Sequence, residues 1–114
     1  MGIIEIDKTL LPYQFEINLS NKIYTLIFNY NVSFDFFTVD LILNGVTLVK
    51  AEKLVLDQFL FKEVSIDADG NLNPSFPEEI LFVSTSDSSI KRVSYDNLGS
   101  TVHLYYAEKD EVII

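Results

Sequence analysis

Phe36-Phe37-Thr38-Val39-Asp40-Leu41-Ile42-Leu43-Asn44-Gly45-Val46-Thr47-Leu48-Val49-Lys50 decides the fold of this chain. In its first half, Phe37, Val39, Leu41 and Leu43 fall on one side of an alternating pattern, which is the signature of a strand with one face on a core. Asn44-Gly45 follows. A two-residue type I′ turn needs positive φ at both central positions, and Asn-Gly tolerates that best. Residues 46–50 therefore pair antiparallel with residues 36–43.

The same pattern extends toward the N-terminus. Phe15, Ile17 and Leu19 alternate with Gln14, Glu16 and Asn18, and Ser20-Asn21-Lys22 supplies a turn. Residues 23–31 follow as a strand rich in β-branched and aromatic residues. Tyr24, Leu26, Phe28 and Tyr30 line one face, and Ile23, Thr25, Ile27 and Asn29 line the other. Both faces are largely apolar, which places this strand centrally in its sheet. Residues 31–35 form a polar break.

Toward the C-terminus the pattern loosens. Residues 52–62 read either as one or two turns of helix or as an irregular apolar crossing between sheets. Residues 64–66 are read as the start of another strand. Residues 67–77 are a loop punctuated by Gly70, Pro74 and Pro77. Residues 80–84 are a short buried strand and residues 85–89 a polar turn. Residues 101–107 are the closing strand, with Val102, Leu104 and Tyr106 opposite Thr101, His103 and Tyr105. Short strands separated by frequent turns specify an all-β fold: a small antiparallel β-sandwich or barrel with at most one short helix. The 114 residues form a single β domain, with a core over about 13–108 and short N- and C-terminal tails.

Composition narrows the function. The net charge is −9, from 17 acidic and 8 basic residues. That field repels phosphate backbones and anionic membranes, so neither nucleic acid nor membrane is an expected partner. There is no Cys, hence no disulfide framework and no thiolate metal site. Met1-Gly2-Ile3-Ile4-Glu5-Ile6-Asp7 lacks the basic start and long apolar stretch of a signal peptide, so the expected site of synthesis is the cytoplasm.

Candidate chemistry is sparse. In residues 67–78, oxygen-bearing side chains recur at the spacing of a calcium loop, with Asp67, Asp69, Asn71 and Glu78 as the ligand candidates. Leu72 stands where such a loop turns on Gly, and Pro74 where it makes a short β pairing. The stretch therefore reads as a polar hairpin loop whose Asp and Asn residues stabilise turns. His103 is the single histidine, which excludes a site built on several imidazoles. It reads as a surface or cross-strand packing residue. No serine lies in a Gly-x-Ser-x-Gly elbow. Trp is absent, and Tyr24, Tyr30, Tyr95, Tyr105 and Tyr106 are candidates to take its place in stacking on a sugar. No enzyme activity and no cofactor are expected.

Asp96-Asn97-Leu98-Gly99-Ser100-Thr101-Val102-His103-Leu104-Tyr105-Tyr106-Ala107 resembles the C-terminal signature of a family of small phage tail and baseplate proteins. In that family a polar Asn-Leu-Gly turn, here Asn97, Leu98 and Gly99, leads into a closing strand. Phe15 to Leu19, Tyr24 to Asn31, Phe37 to Leu43 and Asn44-Gly45 follow the family's layout too. The family includes the plug protein of a cyanophage contractile-tail baseplate. It often has Trp where this chain has Phe37, and a glycine-bearing stretch where this chain has Lys50-Ala51-Glu52-Lys53.

The resemblance implies a structural component of a phage or prophage tail baseplate, plug-like and acting by protein–protein assembly. Its partners would be other tail or baseplate proteins, with self-association as a further route. It would pass from the host cytoplasm into the virion tail. Val112, Ile113 and Ile114 form an apolar end after charged residues, which suits an interface. The alternative is a small β-sandwich module that binds a ligand or glycan. Such a module needs a concave pocket with converging polar and aromatic groups.

Overall fold

A computed structural model describes residues 2–108. Two antiparallel sheets pack face to face as a sandwich, which decides between sandwich and barrel. The first sheet has four strands in the order β2 (Tyr13–Leu19), β3 (Lys22–Asn31), β4 (Phe36–Leu43) and β5 (Val46–Lys53). The second has three, in the order β1 (Gly2–Ile4), β7 (Val102–Ala107) and β6 (Ile80–Thr85). Among the described residues, helix is limited to a 3-10 turn at Lys8–Leu10, which Asp7 caps through the Thr9 amide.

The first sheet is the one the alternation specifies. Strand β3 lies between β2 and β4, as its two apolar faces require. Its inward residues Tyr24, Leu26 and Phe28 are fully buried, opposite Leu43, Leu41 and Val39 of β4. Both two-residue hairpin turns use positive φ at two consecutive residues. These are Asn44 (+51°) and Gly45 (+78°) between β4 and β5, and Ser20 (+55°) and Asn21 (+62°) between β2 and β3. The second turn has no glycine, and a distant carboxylate supports it. Glu79 accepts hydrogen bonds from the Ser20 amide at 2.9 Å and from the Ser20 hydroxyl.

Strand β5 runs past Lys50 to Lys53 through a bulge. Val39 pairs with Glu52 and Leu41 with Val49, so Lys50 and Ala51 together face Asp40. Ala51 has φ +56°. Its amide donates to Asp40 Oδ1 at 2.7 Å, and Lys50 Nζ lies 2.8 Å from Oδ2. Asp40 is the buried charged residue of the core, at 1 % exposure.

Residues 54–62 take the crossing alternative, not the helix. Asp57 and Phe61 stand at φ +60° and +64°, which no helix accommodates. The segment instead runs along β6. The Asp57 amide donates to the Val83 carbonyl at 2.7 Å, and the Leu60 amide donates to the Leu81 carbonyl at 2.8 Å. Glu52 accepts the Phe61 amide at 2.5 Å, and burial raises its carboxyl pKa. The crossing covers the β6 edge, a place where an open sheet invites unwanted pairing.

Two local expectations differ from the structure. Residues 64–66 form no strand: Ile66 makes only an isolated bridge to Leu72 inside the following loop. The N-terminal segment, read as a tail, contributes β1, whose Ile4 is buried against the core and pairs with Leu104. A three-residue strand is too short to show alternation, and only its β7 partner defines it.

Candidate functional site

The family-like signature lies in the turn that feeds β7. Gly99 stands at φ +89°, a conformation that glycine adopts without strain, and its amide donates to the Val102 carbonyl at 2.7 Å. Leu98 is buried in the core. Asn97 organises the preceding loop from both ends of its side chain. Its Oδ1 accepts the Ser94 amide at 2.8 Å, and its Nδ2 donates to the Arg92 carbonyl at 2.9 Å. Its own carbonyl accepts the amide of Val102 at 3.0 Å. Asn97, Leu98 and Gly99 therefore set the shape of residues 92–97.

That loop in turn grips the opposite sheet. Asp35, at φ +54° in the β3–β4 connection, receives the Tyr30 hydroxyl at 2.7 Å and the Tyr95 amide at 2.9 Å. Arg92, the chain's single arginine, donates to its carboxylate at 3.0 Å and to its carbonyl oxygen. The Tyr30 hydrogen bond is the largest of several causes that lower the Asp35 pKa to about 2. A carboxylate so engaged is a structural anchor and not a general base. The Tyr95 ring stacks on Phe37, with centroids 6.2 Å apart, and meets Tyr30 at 5.1 Å. Lys8 sits 4.8 Å above the centre of the Tyr95 ring and donates to the Tyr95 carbonyl. One cluster thus joins the 3-10 turn, the β3–β4 loop and the signature loop. It ties the two sheets together at one end of the sandwich.

The chain matches the family model described as cyanophage baseplate Pam3 plug gp18, over residues 1–109. The chain belongs to this family. Among curated proteins none matches it. In this chain the Asn97-Leu98-Gly99 turn shapes the loop that holds Asp35.

The other candidates lie elsewhere. In the calcium-like loop, Asp67 Oδ1 accepts the amides of Asp69 and Asn71, both at 2.9 Å, so its carboxylate closes a turn. Asp67, Asp69 and Glu78 are not gathered, and among the described residues no group of three or more acidic or imidazole side chains is placed to hold a metal ion. Glu78 is exposed and donates its amide to Ser20 Oγ at 2.8 Å. His103 lies edge-on to Tyr105 at 6.2 Å and borders a hollow of about 180 Å³ with Ile4, Leu98 and Gly99.

The tyrosines do not converge on one pocket. Tyr24 is a core residue whose hydroxyl donates to the Ser75 carbonyl at 2.7 Å. Tyr30 and Tyr95 belong to the Asp35 cluster, and Tyr105 stacks on Phe82 at 5.5 Å. Tyr106 is partly exposed near the end of β7. Val112, Ile113 and Ile114 lie outside the described residues.

Sequence reasoning placed Asp35 in a polar break and did not single out Arg92. The available signals were an aspartate closing a hairpin after Tyr30 and a lone arginine, but their pairing spans 57 residues.

Proposed function

We propose that this chain is a structural subunit of a phage or prophage tail baseplate, plug-like in role and acting by protein–protein assembly. The observation that carries this reading is the match to a baseplate plug family over residues 1–109. The described residues agree with it in chemistry. Their buried polar side-chain atoms all have hydrogen-bond partners. Their most perturbed carboxylate, Asp35, is spent on holding two loops together. Rigid, satisfied polar clusters serve a part that must keep one shape within a larger particle.

In this proposal the partners are other tail and baseplate proteins, or further copies of the chain. The protein works without cofactor or catalysis and resides in the virion tail after synthesis in the host cytoplasm. The charge of −9 argues against nucleic acid and membrane as partners. Val112, Ile113 and Ile114 are proposed as part of the contact with a neighbour, since three apolar side chains in sequence favour burial.

The test is the protein content of tails purified from the phage or prophage that encodes the chain. The expected result is its presence in purified tails at a constant ratio to the other baseplate proteins. Its absence from intact tails would remove the proposal.

A further inference from the structure

Strand β3 has two apolar faces, and the core uses one of them. Tyr24, Leu26 and Phe28 are buried between the sheets, so Ile23, Thr25 and Ile27 point the other way. With Phe36 and Ile42 of β4 they form an outward stripe, in which Ile42 lies opposite Thr25. Ile23 is 50 % exposed, and Ile23, Ile27, Phe36 and Ile42 neither belong to the buried core nor pack against it. An antiparallel sheet with one solvated face ordinarily alternates apolar inside with polar outside. Here the outside is apolar as well.

The charges around this stripe are sorted by strand. On β2 the outward residues are Gln14, Glu16 and Asn18, with Glu16 as the charge. On β5, Lys50 pairs with Asp40, and Lys53 lies 5.0 Å above the centre of the Phe36 ring. The face is therefore acidic along β2, basic along β5 and neutral in sum, on a chain whose net charge is −9. The excess negative charge lies elsewhere on the molecule.

We propose that this outer face is a contact between two copies of the chain, stacked sheet on sheet about a two-fold axis parallel to the strands. That axis sets β3 of one copy over β4 of the other, and β2 over β5. Thr25 then lies over Ile42 of the other copy, with Ile23 and Ile27 on either side of that contact. Glu16 faces the strand that carries Lys50 and Lys53. Stacked sheets lie about 10 Å apart, a gap that an extended lysine and a glutamate span together. A two-fold contact must complement itself, and a face with one acidic and one basic flank does so. Four strands about 4.8 Å apart and about seven residues long offer roughly 500 Å² per copy, or about 1,000 Å² in all. That is the lower limit of a specific interface, so the isolated dimer is weak. The dimer's place in a tail rests on the baseplate reading above; the face and its charges do not.

The test is sedimentation equilibrium of the purified full chain from micromolar to millimolar concentration, with each variant first shown to melt near the wild type. The wild type should show a reversible monomer–dimer equilibrium. Ile23→Lys places a charge on the stripe outside the core and should weaken the dimer at least about ten-fold. Glu16→Lys and Lys53→Glu should each weaken it about five-fold, and the double variant should return to within about two-fold of the wild type. Glu16→Lys also makes the chain less acidic, so general repulsion alone would tighten association where the facing pair loosens it. A wild type that stays monomeric would overturn the proposal. So would a Glu16→Lys dimer as tight as the wild type, or a double variant no tighter than its parents. A monomeric wild type whose Ile23→Lys variant is excluded from tails would give the face to a different protein, against the proposal. No tail particle enters the sedimentation measurement. A monomer found in purified tails therefore removes the dimer alone, and a dimer absent from them removes the baseplate reading alone.

Discussion

The Tyr30 hydroxyl donates to Asp35 at 2.7 Å across the base of the β3–β4 loop, and this one bond moves two acidities in opposite directions. It is the leading cause of a Tyr30 pKa pushed up to about 12 and of an Asp35 pKa held at about 2. The Asp35 pKa is depressed on folding, so its contribution to stability is present above the ordinary carboxylate value and is lost as pH falls toward 2. The Tyr30 pKa is raised, so its contribution is present below pH 10 and is lost as pH rises through 12. The melting-temperature difference between wild type and Tyr30→Phe should be largest from about pH 5 to pH 9 and shrink on both sides. A difference that stays flat from pH 2 to pH 7 would contradict this assignment.

Asp40 illustrates a charge buried for a structural purpose. Its carboxylate satisfies the Ala51 amide inside the β5 bulge, while its ion-pair partner Lys50 stays 75 % exposed. Replacing Asp40 by Ala leaves that amide without its acceptor but strands no buried charge. The expected cost is about 1–3 kcal/mol in urea unfolding, with Asp40→Asn milder because one acceptor remains. Ala51 stands at φ +56°, a conformation that glycine adopts without strain. Ala51→Gly should therefore be tolerated or mildly stabilising.

Gly45 has φ +78°, with nothing near the space a side chain would occupy. A substitution there meets backbone strain alone. Gly45→Val should destabilise by about 1 kcal/mol or more, because a β-branched residue resists positive φ. An unchanged melting temperature would show that the turn relaxes into another type.

Calcium should not bind residues 67–78 with useful affinity. Asp67 is committed to the amides of Asp69 and Asn71, and Leu72 and Pro74 occupy positions where a calcium loop needs other residues. Titration calorimetry should give no saturable heat; micromolar binding would overturn the reading.

Deleting residues 112–114 should leave the melting temperature of the isolated domain nearly unchanged while reducing incorporation into tails. A large loss of monomer stability would instead assign those three side chains to the domain's own core.

The four-stranded sheet was legible because its signals are local: alternation along each strand, and Asn44-Gly45 setting the register of β4 and β5. The missing parts depend on distant partners. Strand β1 has too few residues to show a period and exists through β7. Residues 54–62 carry apolar spacing that suits a helix, yet carbonyls of β6 and the Glu52 carboxylate draw their amides into a crossing. Asp40 sits on the outward register of β4 and reads as solvent-facing until the bulge folds over it. At the candidate site, Asn97-Leu98-Gly99 was legible as a turn, but its grip on Asp35 through Arg92 and Tyr95 joins residues some sixty apart. The exposed tip at Val32 and Phe34 was hidden for the opposite reason. Two apolar residues in a polar break look like core until the fold leaves them outside.

The baseplate role is tested most directly by density maps of tails from a wild-type phage or prophage and from one lacking this gene. The account predicts a difference confined to the baseplate, into which the two-sheet domain fits against neighbouring proteins. Identical baseplate density in the two maps would contradict it.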